Sequence, residues 1–113
     1  MLPKHRRPSH PGKILLGHFL EPMGILQSQF VKHLDGTWTL SKLNEIIHGK
    51  RGITEQIALD FSDALGTTPQ FWLNLQNNYN LWVASQDHRK IRRIRNLRTR
   101  PLKSIKRRRA LAL

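Results

Sequence analysis

The residues with the clearest binding chemistry lie between Thr39 and His48, where Ser41, Lys42 and Asn44 occur close together. A hydroxyl, an ammonium and a carboxamide can all hydrogen-bond to base edges or phosphates. If this segment is a helix, these side chains lie opposite its apolar residues. We therefore interpret this side of the segment as a candidate DNA-reading face.

The apolar residues of the same segment have a helical period. They recur at positions i, i+3, i+6 and i+7, which places them on one side of a helix. These residues are Leu40, Leu43, Ile46 and Ile47. We expect this stripe to face a core.

A second apolar stripe, formed by Phe30, Val31 and Leu34, lies in the preceding segment, Gln27 to Leu34. Two short amphipathic helices separated by a polar break predict a helix-turn-helix. Two ordinary packed helices of an all-α domain would have the same periodicity, so this alternative stays open.

The break between the two segments is Asp35-Gly36-Thr37-Trp38. Gly36 can adopt a positive φ without steric cost. The hydroxyl of Thr37 or of Thr39 can accept the first amide hydrogens of the next helix. The break therefore has the residues that a tight turn between two helices requires.

Three further helices are predicted around this pair. Pro11 suits a first helical turn, and an apolar run follows it; Pro22 disfavours a helical Glu21, so this helix should end near Leu20. Thr54 is a good N-cap for a fourth helix, which Gly66 would end, and Thr68-Pro69 is a start signal for a fifth. The chain is thus predicted to be all-α.

The fifth predicted helix has more aromatic side chains than a core this small needs. Since aromatic residues are enriched at interfaces, we hypothesise that part of this surface is a subunit contact. The alternative is that all of these side chains are internal core. The apolar stripe consists of Phe71, Trp72, Leu75, Tyr79 and Trp82.

The composition limits the class of protein. A chain of 113 residues forms one domain at most. It has no cysteine, which excludes disulfides and thiolate metal sites. The basic N-terminus is not followed by the apolar run of a signal peptide, and no stretch approaches a membrane span. We expect a cytoplasmic protein without a membrane partner.

The net charge of +13 is unevenly distributed. Residues 1–87 contain eight Lys or Arg and all seven acidic residues, whereas residues 88–113 contain twelve Lys or Arg and no acid. Such a tail indicates contact with a polyanion, or else a solubilising extension. We predict a flexible basic arm over residues 1–9, a helix-turn-helix domain over 10–86 and a basic tail over 87–113 that is partly helical or disordered.

The segment Gly49-Lys50-Arg51-Gly52 directly follows the candidate reading helix. Gly49 suits a left-handed helix end, and the two cations lie where a phosphate backbone would pass. The Gly-x-x-x-x-Gly-Lys-Ser/Thr pattern of nucleotide-binding loops is absent. A helix stop with solvated charges is the alternative.

An enzyme is the competing class of function. No zinc-protease histidine motif, serine elbow or carboxylate pair on a shared helical face is present. We therefore expect no catalytic residue, cofactor or metal. A tail-driven RNA-binding protein is a second rival, since Ile91, Ile94 and Leu97 trace a partial helical stripe among the tail arginines.

Several ordered blocks of the sequence resemble the HigA-type antitoxins, also called virulence-associated protein I, of the lambda-repressor-like helix-turn-helix group. The similarity runs from about His10 to Ser85. Its blocks are His10-Pro11-Gly12, Phe19-Leu20-Glu21-Pro22-Met23-Gly24, Gln27, Gly49-Lys50-Arg51-Gly52-Ile53-Thr54 and Gly66-Thr67-Thr68-Pro69-Gln70-Phe71-Trp72-Leu73-Asn74-Leu75-Gln76.

The resemblance implies a compact five-helix, lambda-repressor-like DNA-binding domain, here with a basic C-terminal extension. It implies a homodimer that binds an inverted repeat of double-stranded operator DNA and represses its own operon. It also implies a small ribonuclease-type toxin that cleaves mRNA and is neutralised by the antitoxin. A stand-alone helix-turn-helix regulator without a toxin has the same domain.

The resemblance also assigns candidate site residues. The DNA-binding positions are Gln27, Ser28, Thr39, Ser41, Lys42, Asn44, Lys50 and Arg51. The dimer contact falls on the fifth helix, at Phe71, Trp72, Leu75 and Tyr79.

The chain departs from the family pattern at three places. Two extra residues, placed around Asp35 to Trp38, could re-aim the reading helix. Leu26 stands where a capping serine is common, so the second helix should start less firmly. The basic extension after Asp87 is not typical of the family.

Overall fold

The computed structural model describes residues 7–95, and within that range all regular structure is helical. Helix α1 begins as an α-helix over Pro11–Ile14, widens to a π-helix over Leu15–Leu20 and closes with an α-helical turn over Glu21–Met23. The helices α2, α3, α4 and α5 follow at Gln27–Leu34, Leu40–Ile47, Glu55–Leu65 and Pro69–Gln86. The predicted all-α, five-helix architecture is confirmed.

The predicted end of α1 near Leu20 is wrong, because the helix continues to Met23. Within the π-helix, the amide of Glu21 donates to the carbonyl of Leu16, five residues back. Pro22 has no amide hydrogen, and in a regular α-helix its ring would crowd the carbonyl four residues back. The wider π-turn relaxes this conflict, so that the helix passes through the proline.

The link from α1 to α2 is held by main-chain and side-chain hydrogen bonds. Gly24 adopts a left-handed φ of 67°, and the Ile25 amide donates to the Leu20 carbonyl over 2.9 Å, which ends α1 in a Schellman motif. Leu26 has no oxygen with which to cap α2. Instead, the Gln29 side chain accepts a 2.8 Å hydrogen bond from the Leu26 amide, which supplies half of a capping box.

Helices α3, α4 and α5 are each capped at the N-terminus by a threonine hydroxyl. Thr39, Thr54 and Thr68 each accept a hydrogen bond from the amide three residues later, over 3.1, 3.3 and 3.2 Å. The predicted N-caps are thereby confirmed. An unpredicted cap begins α1, where Nδ1 of His10 accepts from the Gly12 amide over 3.0 Å.

The core is centred on the aromatic ring of Phe61 in α4. Its centroid lies 5.8 Å from that of Phe30, 5.4 Å from that of Trp38 and 5.2 Å from that of Trp72. Helix α4 packs on α5, α2 packs on α3 and α4, and α1 packs on α3 and α5. The helix-turn-helix pair α2–α3 is therefore supported directly by α1 and α4, and α5 packs on both of these helices.

Candidate nucleic-acid interface

Helix α3 buries one side and exposes the other. Leu43, Ile46 and Ile47 are buried in the core. Ser41 and Asn44 are exposed, as predicted for a reading face. The orientation of α3 is therefore compatible with contact to a ligand outside the bundle.

The N-terminal ends of α2 and α3 open onto one surface groove of about 690 Å³. Four of the predicted DNA-binding residues line it together: Gln27, Ser28, Ser41 and Asn44. The other lining residues come from α1, the α1–α2 link and the start of α3: Leu16, Glu21, Ile25, Leu26 and Leu40.

The prediction that Leu40 faces the core is wrong, since its side chain is 50% exposed. Leu40 is the first residue of α3, and helical side chains lean toward the N-terminus. Its side chain therefore extends past the edge of the core and into the groove. The periodicity with Leu43 was correct, but periodicity does not show where the core ends.

Lys42 lies closer to the turn than the sequence suggested. Its Nζ is 4.3 Å from the centroid of the Trp38 ring, and the side chain is partly buried. A cation over an indole face is attracted by the ring quadrupole. The ammonium therefore lies beside the turn between α2 and α3, outside the set of groups that line the groove.

Trp38 anchors the turn between α2 and α3. Its indole stacks on Phe61 at an interplanar angle of 27°, and Nε1 donates a 2.8 Å hydrogen bond to Oδ2 of Asp60. The residues before it, Asp35 and Gly36, have φ values of 60° and 61°. Gly36 fulfils its prediction, whereas a positive φ at an aspartate was not expected.

The two predicted phosphate-binding cations after α3 differ in their surroundings. The guanidinium of Arg51 pairs with the Glu45 carboxylate, with Nη2 and Nε at 2.8 and 2.9 Å from Oε1. Lys50 is exposed. Glu45 and Arg51 are 6 positions apart, which is not a spacing at which side chains meet on a helix. They come together because Gly49, with a φ of 75°, turns the chain back between them.

A buried glutamine holds the loop between α3 and α4. Oε1 of Gln76 accepts a 2.7 Å hydrogen bond from the Ile53 amide, and its Nε2 donates to Oδ1 of Asn80 over 2.8 Å. Gln76 is 8% exposed. This contact connects α5 to the loop that follows the candidate reading helix, and the sequence contained no local signal for it.

The predicted dimer residues on α5 have different environments. Trp72 is fully buried, and its Nε1 donates a 2.7 Å hydrogen bond to Oγ1 of Thr67. Trp72 therefore belongs to the core of its own chain, which corrects its assignment to an interface. Phe71 is 37% exposed, and Leu75 and Tyr79 are partly buried.

The start of the described chain lies against α5. Arg7 donates a 2.9 Å hydrogen bond to the Tyr79 hydroxyl, and its guanidinium carbon is 5.4 Å from the centroid of the Trp82 ring. The His10 ring meets Tyr79 edge-on with 4.9 Å between centroids. Arg7 thus contacts α5, and the rest of the predicted arm, residues 1–6, lies outside the described residues.

The basic tail is described only as far as Arg95. Residues 88–95 are exposed and contain no helix, and the remainder of the predicted tail, residues 96–113, lies outside the described residues. Of the stripe Ile91, Ile94 and Leu97, the first two are exposed at 75% and 69%. Between residues 7 and 95, no helix is long and apolar enough to cross a membrane.

Comparison with known proteins identifies relatives of this chain. No protein-family model matches the chain. Virulence-associated protein I of Dichelobacter nodosus is 40% identical over 82 residues, covering 73% of this chain and 74% of that protein. Antitoxin HigA-1 of Vibrio cholerae is 39% identical over 77 residues, covering 68% of this chain and 70% of that protein.

A solved structure shares the fold. Antitoxin GraA in complex with its operator superimposes with a TM-score of 0.70 at 33% identity, over 83% of this chain and 98% of that one. The similarity covers more than two thirds of this chain and of each of these relatives. The chain accordingly belongs to the family of HigA-type antitoxins, which includes virulence-associated protein I.

Proposed function

We propose that this protein is the antitoxin of a toxin–antitoxin module and represses its own operon by binding operator DNA as a homodimer. The observation that supports this most directly is the groove at the N-termini of α2 and α3. Four residues line it together: Gln27, Ser28, Ser41 and Asn44. A relative of the same fold is an antitoxin solved with its operator.

The polar residues of the groove suit two kinds of DNA contact. Ser41 and Asn44, on the exposed side of α3, can hydrogen-bond to base edges, and a carboxamide pairs with adenine. Gln27 and Ser28, in the first turn of α2, are placed for phosphates, which also favour helix N-termini. Sequence readout and backbone contact would thus come from different helices of the same pair.

Binding to the DNA upstream of the protein's own gene tests the DNA function. The variants Ser41→Ala and Asn44→Ala should each weaken binding to this fragment by roughly fivefold to a hundredfold, since a base contact contributes about 1–3 kcal/mol. Fluorescence anisotropy with a random-sequence duplex as competitor measures the specific part. Asn77→Ala, at an exposed position of α5, is the matched control.

The outcome on random DNA decides what these two residues do. An equal loss on the upstream fragment and on random DNA would show that Ser41 and Asn44 do not read sequence. A loss for Asn77→Ala of the same size would show that the effect is not specific to the groove residues. Wild-type binding to both duplexes at one affinity would contradict an operator function.

The basic tail and local cations are tested by salt dependence. Each phosphate neutralised contributes about −0.9 to the slope of log affinity against log salt. If Lys42, Lys50 and Arg51 all bind phosphate on each half-site, a dimer makes about six contacts, which predicts a slope of roughly −5. This requires Lys42 to leave the Trp38 ring and Arg51 to leave Glu45. Removing residues 88–113 should make the slope shallower if the tail touches DNA, and an unchanged slope would exclude that contribution.

The homodimer is proposed to form through the part of α5 that the core leaves exposed or only partly buried, at Phe71, Leu75 and Tyr79. Dimeric helix-turn-helix proteins place their reading helices about 34 Å apart, so the operator should be an inverted repeat with half-sites one helical turn apart. Phe71→Ser should shift the protein toward a monomer in analytical ultracentrifugation. Wild-type protein that stays monomeric at micromolar concentration would contradict the dimer.

The toxin partner is proposed to be a small mRNA-cleaving ribonuclease. The support is the family, whose members include the antitoxin HigA-1. Co-expression with the product of the neighbouring reading frame tests it: a stable complex and suppression of mRNA cleavage are expected. A neighbour that neither cleaves RNA nor binds this protein would favour a stand-alone regulator.

A further inference from the structure

The groove between α2 and α3 is mainly apolar, although it lies on the face proposed to meet DNA. Leu40 and Leu26, two large aliphatic side chains, reach it with 50% and 65% of their surface exposed. Leu16 and Ile25 add apolar surface beside them. The polar residues that line the groove thus surround an apolar surface. Contact with phosphates and sugar hydroxyls, which are polar, does not explain why this surface is apolar.

Leu40 is placed differently from Leu26. It is the first residue of α3, directly before Ser41 and one helical turn before Asn44. In a helix-turn-helix, the N-terminal residues of the second helix are those that reach base edges. Leu26 precedes the first residue of α2 and lies off the reading helix.

The major groove of DNA presents one aliphatic group, the 5-methyl of thymine. An exposed leucine at the tip of a reading helix gains free energy only if it is covered by apolar surface. Cytosine, guanine and adenine offer donors and acceptors that a leucine cannot pair. Covering the Leu40 side chain therefore favours thymine over the other three bases.

We infer that Leu40 is a specificity-determining residue, which reads the 5-methyl group of a thymine in the operator half-site. The inference rests on the proposed DNA function. It assigns a base to Leu40, which is not one of the polar residues proposed there to contact DNA. Ser41 and Asn44 would then hydrogen-bond to the base pairs next to this thymine.

Replacing thymine by deoxyuridine tests the inference, because it removes the methyl group and keeps every hydrogen-bonding atom. The probes are duplexes that the wild-type protein selects from a random library, with each thymine replaced in turn. At one thymine per half-site, deoxyuridine should weaken wild-type binding about fourfold, as expected for burying one methyl group.

The variant Leu40→Ala completes a thermodynamic cycle. It should weaken binding to the thymine duplex by a similar factor and make the protein indifferent to deoxyuridine at that position, within about 1.5-fold. Leu40 is half exposed and heads its helix, so the variant should fold, which circular dichroism checks. Leu26→Ala is the matched control and should keep the full methyl dependence.

Three results would overturn the inference. Wild-type protein could be insensitive to deoxyuridine at every thymine, Leu40→Ala could retain the methyl dependence, or Leu26→Ala could be the variant that loses it. In each case the protein would still select a sequence, and the DNA function would stand. If no sequence is enriched from the library, the DNA function and the inference are both wrong.

Discussion

Gly12 in α1 lies directly against the main-chain carbonyl of Ile46 in α3. A β-carbon on Gly12 would be 1.8 Å from that oxygen and 2.8 Å from the α-carbon of Ile47. Both neighbours are backbone atoms, which cannot rotate away as a side chain can. The closeness of α1 to the reading helix thus depends on a residue without a side chain.

Gly12→Ala should destabilise the protein by about 3 kcal/mol, because the two helices must move apart. Thermal unfolding measures the loss. Gly17→Ala is the matched control: a β-carbon there meets nothing within 4 Å, so the change should stabilise the helix by about 0.5–1 kcal/mol. Equal stabilities for the two variants would contradict the close packing.

Gln76→Leu should cost about 1–3 kcal/mol, because it leaves the buried Ile53 amide without its hydrogen-bond acceptor. Urea unfolding measures the change. Gln70→Leu makes the same substitution at an exposed position of α5 and should lie within about 0.5 kcal/mol of wild type. A Gln76→Leu protein as stable as this control would show that the loop after α3 does not need the contact.

The hydrogen bond from Trp38 to Asp60 should appear as a coupling of about 1 kcal/mol in a double-mutant cycle. Trp38→Phe keeps an aromatic ring on Phe61 and removes the donor, and Asp60→Ala removes the acceptor. The control cycle pairs Trp38→Phe with Asp63→Ala, at an exposed aspartate on the same helix, and should be additive. Additivity in both cycles would mean that the bond contributes no stability.

The stability of the protein should fall as the pH drops below about 6.5. Burial, and secondarily the positive charge of Lys13, lowers the pKa of His10 from its usual value of 6.5. Between the lowered pKa of the folded state and 6.5, the unfolded chain therefore binds more protons than the folded chain. The stability that neutral His10 contributes is complete above pH 6.5 and is lost as the pH falls toward the folded pKa. The slope cannot exceed about 1.4 kcal/mol per pH unit.

His10→Asn isolates this contribution, because asparagine can still cap α1 but does not titrate in this range. Unfolding free energies between pH 5 and 8, a range chosen around the histidine pKa, should depend less on pH for the variant than for wild type. Identical curves for His10→Asn and wild type would exclude His10 as the source.

The sequence predicted the features that depend on neighbours along the chain. It correctly predicted the capping threonines, the left-handed Gly49, the helix end at Gly66 and the burial of Leu43, Ile46 and Ile47, because each follows from residues within about one helical turn. The π-helix was missed, since Pro22 signals a helix end when read locally. The five-helix fold could therefore be predicted, apart from the passage through this proline.

The site was predicted less completely, because its details depend on contacts between elements. Lys42 lies over the Trp38 indole, which the turn between α2 and α3 supplies, and Arg51 reaches Glu45 across a chain reversal. Trp72 was misassigned since α5 has apolar residues around most of its circumference, so periodicity could not separate core from surface.

The anchored turn between α2 and α3 also bears on how such motifs vary. The Trp38 indole fixes the entry to α3 from within the core, so we expect that the preceding residues can change in number without moving the helix that follows. Insertions are then absorbed as extra backbone on the outside of the protein. Related chains with a buried aromatic residue at the position of Trp38 should tolerate turns of different length between the two helices. In chains without such a residue, the turn should be restricted to a single length.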